Sequence, residues 1–264
     1  IYSESQNGNI RRGNLIDGET SSIRPRGASG RGGRGGRGGG GRPNIVPTPE
    51  PNTEIRWNWN TPFIISPHNA QTIHTGSNHF FTSRDRGENW MMSPDLTKNI
   101  DRDEIQIMGF YNAVERCRQN NRGVECIPSR NDGVGSWSTI VSVSESPLVP
   151  GNLWAGTDDG NIQVSRDGGT TWTEVSRNLP GGTTEYYVSR VDASAHNAAT
   201  AYVSIDGHKS NDLRPYIYVT RDYGESWTDI SSNLPPYGNV NTIRQDPRNP
   251  KLLYAGTEFG FFVS

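Results

Sequence analysis

Apolar positions in this chain fall in short runs rich in β-branched and aromatic residues, such as HFF before Thr82, NIQV before Ser165 and YIYV before Thr220. Gly, Pro, Asn and Asp break these runs at short intervals. Alternating runs bounded by turn residues predict strands rather than helices. The stretch 137–178 displays the unit most fully. A first strand over Trp137 to Glu145 ends in a turn at 146–152, and a second covers Leu153 to Thr157. After the turn Asp158-Asp159-Gly160, a third strand runs from Asn161 to Ser165, and a fourth begins near Trp172. The longest apolar runs, such as Phe63-Ile64-Ile65, fall far short of the roughly 20 residues a bilayer-spanning helix needs. No membrane span is expected.

The unit repeats. SRDRGENW (83–90), SRDGGTTW (165–172) and TRDYGESW (220–227) align without gaps as Ser/Thr-Arg-Asp-x-Gly-x-x-Trp. A second block precedes them in SPHNAQTIHTG (66–76), SPLVPGNLWAG (146–156) and SAHNAATAYVS (194–204), and recurs in DPRNPKLLYAG (246–256). Within each box the Asp can accept backbone N–H groups, the Gly can take positive φ, and the Trp is expected to pack across its own hairpin. The boxes read as structural.

These boxes resemble the Asp-box (bacterial neuraminidase) repeat. Asp167, Gly169, Thr171 and Trp172 fit its pattern best, while Asp85, Gly87, Trp90 and Asp222, Gly224, Trp227 carry Asn or Ser in place of the Thr. With RWNWNTPFIISPHN, VSESPLVPGNLWAGTDDGN and LLYAGTEFGFFVS, nearly the whole chain is similar to bacterial sortilin-like (Vps10-type) propellers. The resemblance implies an all-β fold, a β-propeller of four-stranded antiparallel blades with about four represented, and a secreted, periplasmic or cell-surface bacterial protein. The expected division is a partial blade over 1–23, a Gly/Arg-rich loop over 24–54, a blade over 55–92 and an insertion over 93–136. Blades over 137–178 and 179–233 and an incomplete blade over 234–264 follow. YSESQNGNI (2–10) parallels WAGTDDGNI (154–162), and FFVS (261–264) matches the approach to each box. The remaining blades, from the parent chain or another fragment, are therefore expected partners.

Composition sharpens this picture in two places. With 31 Gly, 17 Pro and 31% hydrophobic residues, a helical bundle is excluded. Net charge is −2, but residues 24–42 hold six Arg and no acid, leaving the rest at −8. An Arg-Gly-Gly segment suits either a flexible inserted loop or an anion-binding one. The loop reading is preferred because the segment lies within a blade connection, without interleaved aromatics and on an acidic body; nucleic acid is not an expected partner. Cys117 and Cys126 enclose a short polar loop and form either a local disulfide or two free thiols. Neither they nor the five His show zinc-ligand spacing, so no metal or cofactor is expected.

In a propeller, second-to-third-strand turns and blade connections share one face. That geometry gathers Trp57, Trp59, Asn131, Asp132, Trp137, Asp158, Asp206, His208, Tyr237 and Glu258 as a candidate ligand face, with Asn78, Asp212, Tyr186 and Tyr187 nearby. Both large insertions are expected to emerge there too. The structural alternative is packing for the tryptophans and turn formation for the acids. The preferred function is a non-enzymatic recognition or assembly module for a protein, peptide or glycan. The competing one is a glycoside hydrolase, sialidase-like or xyloglucan-cleaving, with Asp158, Asp159, Asp206 and Glu258 as candidate carboxylates. Arg190, Arg214 and Arg244 lie near blade starts, but the sialidase Phe-Arg-Ile-Pro motif is absent.

Overall fold

The computed structural model describes residues 1–28, 42–100 and 136–264. Its strands form five antiparallel sheets in chain order. The first holds β1 (Tyr2–Ser5), β2 (Asn9–Gly13) and β3 (Thr20–Ser22). The second holds β4 (Phe63–Ile65), β5 (Ile73–Gly76), β6 (His79–Ser83) and β7 (Met91–Asp95). The third comprises β8 (Ile140–Glu145), β9 (Leu153–Thr157), β10 (Ile162–Ser165) and β11 (Thr173–Glu174). The fourth comprises β12 (Tyr187–Ala193), β13 (Ala201–Asp206), β14 (Tyr216–Thr220) and β15 (Thr228–Asp229). The last is β16 (Val240–Gln245), β17 (Leu253–Thr257) and β18 (Phe261–Val263).

Each four-stranded sheet is a plain meander, and successive sheets stack face to face, with β12 packed between β8 and β16. That arrangement is an arc of a β-propeller. In the first sheet, Ile23 N–H bonds Ile10 C=O as Val175 bonds Ile162 in the third and Ile230 bonds Ile217 in the fourth. The first sheet therefore supplies the second to fourth strands of a blade, and the last supplies the first to third.

The core is divided into layers between neighbouring sheets. Ile10 and Ile23 meet Ile73, Phe81 and Trp90; Phe80 and Leu96 meet Ile140, Val143 and Leu153. Trp154, Ile162 and Val164 meet Val188, Val191 and Val203, while Tyr202, Ile217 and Val219 meet Val240 and Ile243. Second and third strands such as β9, β10, β13 and β14 are buried along their whole length because they are covered on both faces. Close approach is needed at Gly156, where a Cβ would lie 2.4 Å from Val188 Cγ1 of the next sheet.

The boxes close the third-to-fourth turns. In the first, Ser83 Oγ donates to Asp85 Oδ1 at 2.8 Å and accepts Gly87 N–H at 2.8 Å, and Asn89 N–H reaches Asp85 Oδ1 at 2.9 Å. Thr171 and Ser226 N–H groups repeat the last bond to Asp167 and Asp222, each at 2.9 Å. Donation from Thr171, together with other turn groups, lowers the Asp167 carboxyl to about 2. Gly224 needs its left-handed φ of +89°, and its Cβ would lie 2.7 Å from Val175 Cβ of the preceding sheet.

Two expectations need correction. The box tryptophans do not all pack across their own hairpins. Trp90 Nε1 donates to Ile23 O at 2.8 Å and Trp227 Nε1 to Val175 O at 3.1 Å, so these rings fasten one sheet to the one before. Only Trp172 bonds locally, to Gly169 O at 3.1 Å, although its ring also packs 4.9 Å from Phe80 of the preceding sheet. Indole N–H needs a partner once buried, and the interlayer cores supply it. Second, the Gly/Arg segment does not spring from the second-to-third-turn face. Its stems are joined by Asn44, which accepts Arg26 N–H at 2.7 Å and donates to Arg24 O at 3.1 Å. They are then pinned to the box end of the second sheet by Trp90 N–H to Asn44 O and Val46 N–H to Trp90 O, each 2.8 Å. The chain returns to the other end only near Glu54, whose carbonyl accepts from Asn78. Among the described residues no helix is long and apolar enough to cross a membrane.

Candidate functional site

The second-to-third turns use their polar side chains to hold the segments leading into first strands. Arg56 N–H donates to Asn78 Oδ1 at 2.8 Å. Thr139 donates its N–H to Asp158 Oδ1 and its hydroxyl to Asp158 Oδ2, both at 2.7 Å. Asn239 Nδ2 donates to Asp206 Oδ1, tying the fourth sheet to the approach to β16. Asp159 reaches outward instead: its Oδ2 accepts Lys98 N–H at 2.9 Å and Asn99 N–H at 3.1 Å, anchoring the segment that follows β7. Burial pushes the Lys98 ammonium down, and its Nζ donates to Thr184 O beside a cavity of about 370 Å³.

Placement of the candidate face is uneven. Asp158 is 1% exposed and Asp159 fully buried, so neither is the open rim acid expected from its turn. Trp57 is likewise corrected: at 4% exposure it is core, stacked 5.5 Å from Phe81 and covered by the Arg24 guanidinium at 5.2 Å. Asn78 is buried too, its side chain spent on Arg56, Glu54 and Asp95. Trp59, Tyr237, His208 and Glu258 remain exposed, and Trp137 is half-buried. Asn131 and Asp132, with Cys117 and Cys126, lie outside the described residues. The three arginines do not converge: Arg214 is held by Asp212 at 2.6 Å, whereas Arg244 and Arg190 both face Asp192.

What the fold does bring together is a cluster around Tyr187, at the start of β12. Lys209, in the turn after β13, places its ammonium 5.0 Å from the Tyr187 ring centroid and 5.7 Å from that of Trp137. Burial, then the charges of Asp158 and Asp206, push the Tyr187 phenol up to about 12. Burial likewise pushes Asp158 up to about 7, against the Thr139 hydrogen bonds and the Lys209 charge. Asn58 Nδ2 caps the buried pair, 2.9 Å from Thr139 Oγ1. Asp206 pairs with His208 Nδ1 at 2.7 Å.

The turn carrying Lys209 is longer than its counterpart at Asp158-Asp159-Gly160 and is braced from within. Asp212 accepts from the Arg214 guanidinium and from the hydroxyls of Tyr186 and Tyr216, at 2.6, 3.2 and 2.7 Å. Arg214 first, then Tyr216, hold its carboxyl well below the usual range. Lys209, Thr139 and Asn58 are the site residues that motif reasoning does not reach. The available signal for Lys209 was its rarity, as one of three lysines, on the one lengthened second-to-third turn. Among the described residues no group of three or more His, Cys, Asp or Glu side chains is placed to hold a metal ion.

No protein-family model matches the chain. Over 85 residues it is 34% identical to the oligoxyloglucan-reducing end-specific xyloglucanase of Emericella nidulans, a match covering 32% of this chain and 10% of that enzyme. Among solved structures it is similar to the GH74 enzyme of Niastella koreensis, with TM-score 0.47, 18% identity, and coverage of 73% of this chain and 24% of that one. It is also similar to the GH74 xyloglucanase of Xanthomonas campestris, with TM-score 0.48, 17% identity, and coverage of 76% and 28%. The chain thus spans about a tenth of the curated relative and about a quarter of these solved chains.

Proposed function

We propose that this chain is part of a glycoside hydrolase of the xyloglucan-cleaving type, with its substrate on the second-to-third-turn face. One observation carries the reading: two carboxylates in contrasting environments lie beside Tyr187. Asp158 is kept protonated to about pH 7 by burial, whereas Asp206 Oδ2 lies 2.7 Å from His208 Nδ1 and Asp206 Oδ1 accepts from Asn239 Nδ2. A buried acid held protonated beside a second carboxylate is an arrangement that can divide acid and base roles in glycoside cleavage. Asp158 is then the proton donor to the leaving oxygen, and Asp206 the carboxylate that supports attack at the anomeric carbon. Trp59 and Trp137 offer ring faces on which sugar units can rest. The choice of glycan follows the 34% identical stretch shared with a xyloglucanase. A polysaccharide substrate supports a secreted or cell-surface location.

A second reading, a sortilin-like recognition module built on Asp-box blades, is favoured by a different observation. Asp158 is 1% exposed with both oxygens engaged, which suits holding β8 in place. Release of reducing ends from xyloglucan by the full-length protein separates the two. The hydrolase reading expects release that falls at least about 100-fold in Asp206→Asn and in Asp158→Asn while both variants remain folded. Binding to xyloglucan without release supports the recognition module; neither binding nor release rejects the hydrolase.

A further inference from the structure

The first four sheets each turn an apolar face to the sheet that follows, and the last sheet carries the same face in the open. Tyr254, Gly256, Phe261 and Val263 point away from the fourth sheet, because Ala255 and Phe262, which alternate with them, pack into the core shared with it. Phe261 is 68% exposed and Val263 55%. Their counterparts are buried in the sheets before: Ile162 and Val164 at 0% and 4%, Ile217 and Val219 at 4% and 1%. The Tyr254 and Phe261 rings stack 5.9 Å apart on this face. A contiguous aromatic and aliphatic surface of this kind marks an interaction site.

Its shape names the partner. A Cβ on Gly76 would lie 2.6 Å from Ile140 Cγ2, and one on Gly156 would lie 2.4 Å from Val188 Cγ1. In both, a second strand gives up its side chain so that a β-branched residue of the next sheet's first strand can seat there. Gly256 holds the same position of the second block, yet a Cβ there would meet only Thr242 Cγ2 of its own sheet, at 3.0 Å. Thr242 pairs with Gly256 as Ser142 pairs with Gly156. Ser142 Oγ accepts Val191 N–H from the following first strand at 2.9 Å. The open face thus offers a first strand both a socket and a hydroxyl acceptor.

A second copy does not fit this face. Among the described residues the first sheet holds only second to fourth strands, so it has no first strand to insert. Its side turned away from the second sheet presents Ser3 and Arg11, exposed and paired in register, where an apolar surface is needed. We propose that the face formed by Tyr254, Gly256, Phe261 and Val263 docks a further blade of the polypeptide to which this chain belongs. The first strand of that blade seats Ile or Val over Gly256 and donates a backbone N–H to Thr242 Oγ1. The inference rests on packing alone and holds for a hydrolase and for a recognition module.

Thiol labelling of Val263→Cys tests this in the 264-residue chain and in the full-length protein, each read against its parent as the blank for Cys117 and Cys126. The introduced thiol should react at the rate of an exposed one in the chain and at least about 100-fold more slowly in the full-length protein. Gly256→Val gives an independent reading by thermal unfolding. In the chain it should leave the midpoint within about 2 °C of the parent, because its methyl groups enter the open side. Gly156→Val, which drives the same atoms into Val188, should lower the midpoint by at least about 5 °C or prevent folding. In the full-length protein Gly256→Val should be costly too, by at least about 3 °C. Equal labelling rates in the two proteins, or a full-length midpoint untouched by Gly256→Val, would overturn the proposal. So would protection in the chain alone that grows with its concentration, which would give the face to a second copy.

Discussion

Single residues in this propeller arc carry opposite burdens that their sequence motif does not distinguish. Arg86, Gly168 and Tyr223 occupy the same box position, all in the left-handed region with φ of 62°, 76° and 59°. Only glycine does so without strain, so exposed Arg86→Gly should raise stability by about 1 kcal/mol in denaturant unfolding. Gly224→Ala should do the reverse and more, since it adds a Cβ 2.7 Å from Val175 to the loss of left-handed freedom. Asp158 sets a pH dependence. Its folded value near 7 lies above the unfolded one, so the folded state binds more protons between about pH 4 and 7. Stability therefore falls as pH rises through that window, by up to about 1.4 kcal/mol per pH unit. Asp158→Asn keeps acceptance from Thr139 N–H, as Asn78 does for Arg56, and should flatten that stretch of the pH–stability curve. A slope unchanged in the variant would remove Asp158 as its source. The Asp-box aspartates were legible in sequence because a turn defines their partners within a few residues. The burial of Asp158 was not, because Thr139 and Asn58 reach it only through the fold.

Strands and turns were the most legible elements. Alternation and turn residues delimited β8 to β11 to within a few positions, because each blade is a local meander with short connections. What the pattern hid was the direction of the interlayer contacts. Trp90 and Trp227 share a motif with Trp172, yet the first two donate to the preceding sheet and the third to its own turn. Trp227→Phe should thus cost about 1 kcal/mol or more, since the buried Val175 carbonyl loses its partner. Trp172→Phe, which loses only a local bond in a half-exposed setting, should cost distinctly less. Equal costs measured by urea unfolding would contradict this division. The histidines His68 and His196 follow the same interlayer logic, each with Nε2 2.8 Å from a carbonyl of the next sheet, Ser146 or Asp246. They share one position of the second block, in SPHN and SAHN. The Gly/Arg segment misled for a related reason: its place in a blade connection suggested one face, but the connection runs along the sheet's outer edge before turning.

For the whole molecule, layered cores make each sheet dependent on its neighbours, and the proposed function collects at the second-to-third turns. Asp158, Asp159 and Asp206 are not free rim carboxylates. These three aspartates are turn fasteners, and burial keeps Asp158 protonated near neutral pH. That property joins the architectural role to the proposed chemistry and makes the hydrolase reading measurable. The direct measurement is the pH profile of kcat/KM for xyloglucan cleavage by the full-length protein. An acid that must stay protonated predicts a descending limb near pH 7, and the Asp158→Asn variant should show no cleavage across the profile. Absence of new reducing ends at every pH, from folded protein, would contradict the account.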